Sequence, residues 1–312
     1  MRPCCTGTSV ARALPGAEQR GRAPDAGDSA RLRARLERWQ LQSDGPAFTT
    51  ASSLMQPVLF DVGDARLPAM LKLAMASAAG DEERAGFALQ RWWDGRGAAE
   101  VYRHDDDAVL LERARGRRSL AAMSLGPSAA DDDHALRLLC RAVASLHEPR
   151  ASPPPALVPL DSWFGGLFAH ADDLGGSFLR GADLAAELLD EQVEPVPLHG
   201  DIHHGNVLDF DRRGWLAIDP KGLLGAAEFD YANMLCNPSR AHAADQQRLR
   251  RRVQTVSLAS EIETDRLLRW TIAWTALSAT WFATDDGIGS ADAVATLAIG
   301  DAATRILLDG SA

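Results

Sequence analysis

The sequence predicts an α+β protein of two lobes: a small antiparallel β-sheet with one helix, then a larger, mainly helical part. Three observations carry this. Residues between Ala47 and Glu112 fall into β-like runs of strand length, interrupted by one helical stretch. Beyond Glu112 the apolar residues recur at helical spacing in six separate segments. Inside that helical half, two short apolar runs, Val207 to Phe210 and Trp215 to Ile218, flank the polar turn Asp211-Arg212-Arg213-Gly214 and predict an isolated hairpin.

Each element follows from local pattern. Residues 1 to 28 are rich in Arg, Ala, Gly and Pro without periodicity, so a disordered tail is expected. Ser29 to Trp39 places Leu32, Leu36 and Trp39 on one helical face, suited to packing on the small lobe. From Ala47 to Ala74 the pattern is β-like, with a turn at Gly63-Asp64. Glu82 to Trp93 is helical; Ala98 to His104 and Ala108 to Glu112 are strands joined by Asp105-Asp106-Asp107. Glu112 to Arg118 is the expected hinge. The later helices are expected at Asp131 to His147, Ser162 to Asp173, Ala182 to Gln192, Ala243 to Leu258, Thr264 to Ala283 and Ala291 to Leu308. Pro153-Pro154-Pro155 is a stiff connector within the large lobe. The hairpin is the only β-structure expected in this half.

Composition narrows the function classes. The 312 residues are 46% apolar, and no run approaches the ~18 to 20 residues of a membrane span. The N-terminal segment lacks the apolar core of a signal peptide, so a cytoplasmic protein is expected. Cys4, Cys5, Cys140 and Cys236 form no metal-binding pair and are expected as reduced thiols. Net charge is −10, with residues 1–45 at +3 and the remainder at −13. The folded part therefore has no basic surface for nucleic acid, whereas a cationic small molecule is compatible with it.

The chemistry concentrates between His199 and Asp230, read as H-G-D-I-H-H-G-N-V-L-D-F-D-R-R-G-W-L-A-I-D-P-K-G-L-L-G-A-A-E-F-D. Asn206 follows Asp201 by five residues and Asp219 follows it by eighteen, beyond the hairpin. Phosphoryl transfer needs these parts: a carboxylate facing the acceptor hydroxyl, and oxygen ligands for magnesium. The spacing matches the protein-kinase layout. His199, His203 and His204 also suggest a two-metal hydrolase, but the order H-x-D-x-H-H does not fit that pattern.

His-Gly-Asp at the loop, W-L-A-I-D-P-K-G-L-L-G, and F-D-Y-A-N-M-L-C-N-P resemble the aminoglycoside and hydroxyurea phosphotransferase family, in particular its streptomycin 6-kinase-like group. A-M-L-K-L around Lys72, W-D-G-R-G-A-A from Trp93 and V-L-L-E-R-A from Val109 occur in the same order, and the resemblance covers about residues 35 to 285. It implies a bilobal protein-kinase-like fold, with residues 29–113 as the nucleotide lobe and 114–312 as the catalytic, metal and acceptor lobe.

The resemblance also implies roles. Asp201 is the catalytic carboxylate, while Asn206 and Asp219 hold Mg2+. Lys72 contacts the nucleotide phosphates and pairs with a helix carboxylate, Glu83, with Glu82 as runner-up. The chain has no G-x-G-x-x-G; Thr50-Ala51-Ser52-Ser53 stands in that place, with Ser52 and Ser53 as candidate phosphate donors. Backbone groups of Glu112 and Ala114 would receive the adenine of ATP. His199 and Asp230 would support the loop. His203, His204, Asp285 and Asp286 are candidate acceptor contacts, and Lys221 could meet phosphate or pair with an Asp. Trp270, Trp274, Leu277 and Trp281 form a stripe expected in the core, with a substrate wall as the alternative. The expected enzyme is a monomeric ATP- and magnesium-dependent kinase of a streptomycin-type aminoglycoside at its 6-hydroxyl. Hydroxyurea or an endogenous metabolite is the rival acceptor, and a nucleotide-binding pseudokinase the rival class.

Overall fold

In the computed structural model, residues 23–50, 52–75, 78–192 and 194–310 are described. Cys4, Cys5, most of the expected tail and Ala51 lie outside them, as does the side chain of Glu82. The first helix begins earlier than expected: α1 spans Ala26–Trp39, because the Asp25 side chain accepts the Asp28 N–H and caps it. Residues 26–28 therefore belong to the helix. Arg31 and Arg35 anchor it to Asp105 and Asp107 at the far turn of the sheet.

The small-lobe strands are β1 (Gln42–Ser43), β2 (Phe48–Thr49), β3 (Ser53–Val62) and β4 (Ala65–Ala74), then helix α2 (Ala78–Trp93), then β5 (Val101–Asp105) and β6 (Ala108–Glu112). The sheet order is β1-β3-β4-β6-β5, with β2 also on β3, and every pairing is antiparallel. Period-two alternation divides its two faces. Leu54, Val58, Phe60, Ala69, Leu71, Leu73, Ala108 and Leu110 pack with Leu32 and Trp39 of α1. Ala74, Val109 and Leu111 pack with Phe87 of α2 on the opposite face. Lys72 lies between Leu71 and Leu73, so alternation turns it toward α2. It pairs with Met55 on one side and Val109 on the other, which makes β4 an interior strand and excludes a solvent-facing edge lysine.

The large lobe carries α3 (Leu120–Leu125), α4 (Ala129–His147), strand β7 (Val158–Pro159), α5 (Leu160–Trp163), α6 (Gly165–Leu174) and α7 (Gly176–Asp190). Strands β8 (Val196–Leu198), β9 (Val207–Asp209), β10 (Trp215–Ala217) and β11 (Leu223–Gly225) follow. Helices α8 (Ala232–Cys236), α9 (Arg240–Ala243), α10 (Gln246–Ser260), α11 (Thr264–Asp286) and α12 (Ala291–Gly310) complete it. The expected hairpin is β9-β10. It is not the only β-structure of this half: β7, β11 and β8 form a second small sheet. Runs of two or three residues carry too little periodicity to show in the sequence. Trp270 and Trp274 are buried in the main core, Trp270 against Phe164 and Phe229. Cys140 and Cys236 are buried free thiols. Among the described residues no helix is long and apolar enough to cross a membrane.

Close backbone approaches join the two halves where the chemistry was expected. A Cβ on Gly86 of α2 would fall 2.0 Å from the Pro220 carbonyl oxygen, so only glycine lets the helix lie on that segment. Ala99 N–H donates to Ala217 O and Ala217 N–H to Gly97 O, which binds the W-D-G-R-G-A-A segment to the hairpin. At the hinge, Gly116 N–H donates to Asp209 O, and Arg118 grips the Asp209 carboxylate with Nε at 2.8 Å and Nη2 at 2.7 Å.

That pair gives a prediction about pH. The Arg118 guanidinium hydrogen bonds hold the Asp209 carboxyl down from the usual 3.8 to about 2. Between about pH 4 and 2 the unfolded chain therefore binds more protons at this position than the folded one. The pair's contribution to stability is complete above about pH 4 and is lost as pH falls toward 2. Urea unfolding of the wild type should weaken more steeply across that window than unfolding of Asp209→Asn. Equal slopes would show that the pair contributes nothing.

Candidate active site

Lys72 needs partners because an unpaired ammonium inside a sheet–helix interface is strongly disfavoured. Its side chain is 4% exposed, and Nζ lies 2.5 Å from Oε2 of Glu83, itself 5% exposed. It also contacts Asp219 Oδ1. Burial pushes the Lys72 ammonium below its ordinary value against the pull of Glu83. Burial acts to raise the Glu83 carboxyl, but Lys72 and Lys221 outweigh it and the group stays below the usual range. The pair is thus a buried ion pair, and Glu83 is the helix carboxylate that Lys72 meets.

The loop after β8 is held from behind by Asp230. Its Oδ2 accepts the His199 N–H at 2.9 Å and its Oδ1 accepts the Gly200 N–H at 2.7 Å. His147 Nε2–H donates to the same Oδ2 at 2.9 Å. Burial opposes ionisation of Asp230, yet these donors hold its carboxyl below the usual range. His199 Nδ1 accepts the Asp201 N–H, which leaves the ring proton on Nε2 to donate to Ile218 O. Its ring stacks on Trp93 with centroids 6.1 Å apart. Each group that positions Asp201 is itself positioned.

Asp201 is 7% exposed, and both its carboxylate oxygens are engaged. Asn233 Nδ2 donates to Oδ1 at 2.7 Å, and Asn206 Nδ2 donates to Oδ2 at 3.3 Å and to the Asp201 carbonyl at 3.0 Å. Asn237 Nδ2 donates in turn to Asn233 Oδ1 at 2.7 Å, fixing the amide orientation. Buried Arg252 holds the surrounding turn through the carbonyls of Met234, Leu235 and Asn237. Asn233, Asn237 and Arg252 received no role from the sequence. The only signal for Asn233 is its place three residues after Asp230 on the same turn.

Asp219 ends the hairpin with a left-handed φ of 68° and a side chain 36% exposed. A non-glycine residue in that region is uncommon, though Asp tolerates it better than most. The next backbone bond back, Ile218 N–H to Asn206 O at 2.9 Å, sets Asp219 beside Asn206. Since Asn206 gives its Nδ2 to Asp201, the amide oxygen Oδ1 is the group left for a ligand. A carboxylate and an amide carbonyl are hard oxygen donors of the kind magnesium takes.

Other expected residues fall differently. Ser52 Oγ–H donates to Glu83 Oε1 at 2.5 Å, and Ser53 is completely buried in β3. Neither hydroxyl is presented to a phosphate group. The Glu112 N–H is given to Glu100 O and its carboxylate meets Arg213, so neither is open to adenine. His203 is 9% exposed, with Nε2 4.0 Å from Asp201 Oδ1. Its Nδ1 accepts the Gly205 N–H, and burial depresses its pKa. His204 is 2% exposed with neither ring nitrogen bonded; burial, then Arg252, holds it neutral. At that burial it offers little surface to an acceptor. Asp285 and Asp286 are exposed in the last turn of α11, and Trp281 one turn earlier packs edge-on against Trp163. Among the described residues no group of three or more His, Cys, Asp or Glu could hold a metal ion.

Comparison with known proteins fits this geometry. The sequence pattern described as aminoglycoside/hydroxyurea antibiotic resistance kinase matches residues 38–287. The streptomycin 3''-kinase of Klebsiella pneumoniae is 46% identical over 277 residues, 87% of this chain and 100% of that protein. The streptomycin 6-kinase of Streptomyces griseus is 33% identical over 301 residues, 92% of each. Among solved structures, aminoglycoside phosphotransferase APH(4)-Ia in ternary complex with ADP and hygromycin B superposes with a TM-score of 0.56 at 14% identity. That match covers 88% of this chain and 97% of the other, and shows the shared fold.

Proposed function

This chain belongs to the aminoglycoside/hydroxyurea antibiotic resistance kinase family, and from that premise we propose that it transfers the γ-phosphoryl group of ATP to a hydroxyl of streptomycin, conferring resistance. The observation that carries the mechanism is Asp201, a carboxylate fixed on both oxygens by Asn206 and Asn233 beside the Lys72–Glu83–Asp219 cluster. Such a group orients an acceptor hydroxyl in line with the phosphoryl group, which is where most of the acceleration of this reaction arises. The acceptor oxygen forms a bond to Pγ, the Pγ–O bridge to ADP breaks, and ADP leaves with the electron pair. The hydroxyl proton passes to the Asp201 carboxylate and then to solvent. Lys72, steadied by Glu83, meets the nucleotide phosphates. Asp219 and the Asn206 amide oxygen would hold magnesium. When bound, that ion neutralises charge on the phosphate oxygens.

The acceptor hydroxyl is the 3''-hydroxyl in this reading rather than the 6-hydroxyl expected from the sequence, because the 3''-kinase of Klebsiella pneumoniae, at 46% identity, is more similar to this chain than the 6-kinase of Streptomyces griseus, at 33%. The net charge of −13 outside residues 1–45 suits a substrate bearing two guanidinium groups, and Asp285 and Asp286 remain candidate contacts for them. The test incubates the purified protein with ATP, magnesium and streptomycin, other aminoglycosides or hydroxyurea in parallel, and locates the new phosphate by NMR. We expect streptomycin 3''-phosphate, with an acceptor KM that rises with salt, since screening acts over about 10 Å at ~0.1 M. Phosphorylation of hydroxyurea but not of streptomycin would reject the acceptor, and no ATP-dependent product at all would reject the activity.

A further inference from the structure

Lys221 has a place that its sequence position does not explain. Its side chain is 13% exposed, and Nζ stands 3.9 Å from Asp201 Oδ2. At that distance the ammonium is an ion-pair neighbour of Asp201 but not a hydrogen-bond donor to it. Asp201 has no need of it as a donor, because Asn206 and Asn233 already serve both oxygens. Lys72 is different: its charge is matched by Glu83 and Asp219. Between His199 and Phe210 the loop itself supplies no Lys or Arg. His203, two residues after Asp201, is held below its ordinary pKa by burial.

The backbone aims this lysine. Lys221 N–H donates to His199 O at 2.7 Å. Gly200, at φ 81°, packs against both Leu223 and Lys221: a Cβ there would come 2.7 Å from Leu223 Cδ1 and 3.1 Å from Lys221 Cβ. On the other side Gly222, at φ 71°, lies against Ala85 of α2, where a Cβ would be 3.0 Å from the carbonyl oxygen. Lys221 thus leaves the backbone between the catalytic loop and α2, the helix that carries Glu83, within electrostatic reach of Glu83, Lys72 and His203.

We propose that Lys221 is a catalytic residue whose ammonium contacts the phosphoryl group in flight, leaving its distant pairing with Asp201 when substrates fill the site. The proposal rests on the phosphotransferase reading above and adds its missing cation. As the acceptor O–Pγ bond forms and the Pγ–O bond to ADP breaks, negative charge spreads over the equatorial oxygens. A fixed ammonium at that point stabilises the transition state more than bound ATP.

The experiment compares wild type, Lys221→Met and Lys221→Arg, each also combined with Asp201→Asn. It measures turnover, affinity for Mg·ADP alone, and affinity for Mg·ADP with aluminium fluoride, a mimic of the flying phosphoryl group. We expect Lys221→Met to lower kcat about 100- to 1000-fold, to leave Mg·ADP affinity within about threefold and to abolish the extra affinity that fluoride gives. Lys221→Arg should recover part of both losses. A lysine that merely pairs with Asp201 would make no difference in the Asp201→Asn background, whereas the proposal requires the fluoride effect to be lost there too. Retained fluoride-enhanced binding in Lys221→Met overturns it. A wild type that transfers no phosphate and gains nothing from fluoride removes the parent reading, and the proposal with it.

Discussion

Asp201→Asn is expected to lower turnover by about a thousandfold or more, ~4 kcal/mol of transition-state stabilisation at 1.36 kcal/mol per decade. Mg·ADP affinity should stay close to that of the wild type. The change removes a charge but almost no volume, and the new amide oxygen can still accept from Asn233, the shorter of the two contacts. Its NH2 then faces the Nδ2 of Asn206 and the Nζ of Lys221, donors against a donor, so a small drop in melting temperature is also expected. The readouts are kcat, ADP titration and thermal unfolding of the same preparation. Turnover within tenfold of the wild type would sink the assignment of Asp201.

The second large effect is expected at Asp219. Asp219→Ala should abolish activity and weaken nucleotide binding in the presence of magnesium, because it deletes a proposed metal ligand and one partner of Lys72. Lys72 keeps Glu83, so no buried charge is left unpaired. The cost in stability should therefore be modest, limited to the poorer fit of Ala to the left-handed backbone at this position. Asn206→Ala should be milder and partly rescued by raised magnesium, because its loss removes one neutral ligand. The measurement is activity against magnesium concentration for each variant. If neither shifts the apparent metal requirement, these two residues are not the ligands.

Legibility of the fold followed the length of the pattern. The alternation of β3 and the long helical stripes of α4 and α12 could be read directly, since burial on one face repeats over many residues. The small sheet of β7, β8 and β11 could not, and the start of α1 depended on a cap at Asp25 that compositional reading had assigned to a tail. The stretch read as one helix from Ser162 to Asp173 divides into α5 and α6 around Phe164, where a buried aromatic and two glycines break the run.

The site divides the same way. Spacing along the chain was enough to single out Asp201, Asn206 and Asp219, because a loop–hairpin unit is local and its geometry follows from the number of residues within it. The pairing of Lys72 with Glu83 was also open to inference, since a lysine in a buried strand must find a carboxylate on the helix that covers it. What the linear order could not decide was which polar groups are used up by one another. Ser52 is committed to Glu83, the Glu112 amide to Glu100, and Asn233 to Asp201, each across many residues of sequence. Only the packing of α2 on Pro220 and of Gly200 beside Lys221 determines where the Lys221 ammonium stands. Sequence by itself therefore determined the reaction class, carried by a short run of covalently spaced groups. The tertiary structure decided which donors and charges remain available to a ligand, because that availability is set by contacts between segments the chain order keeps apart.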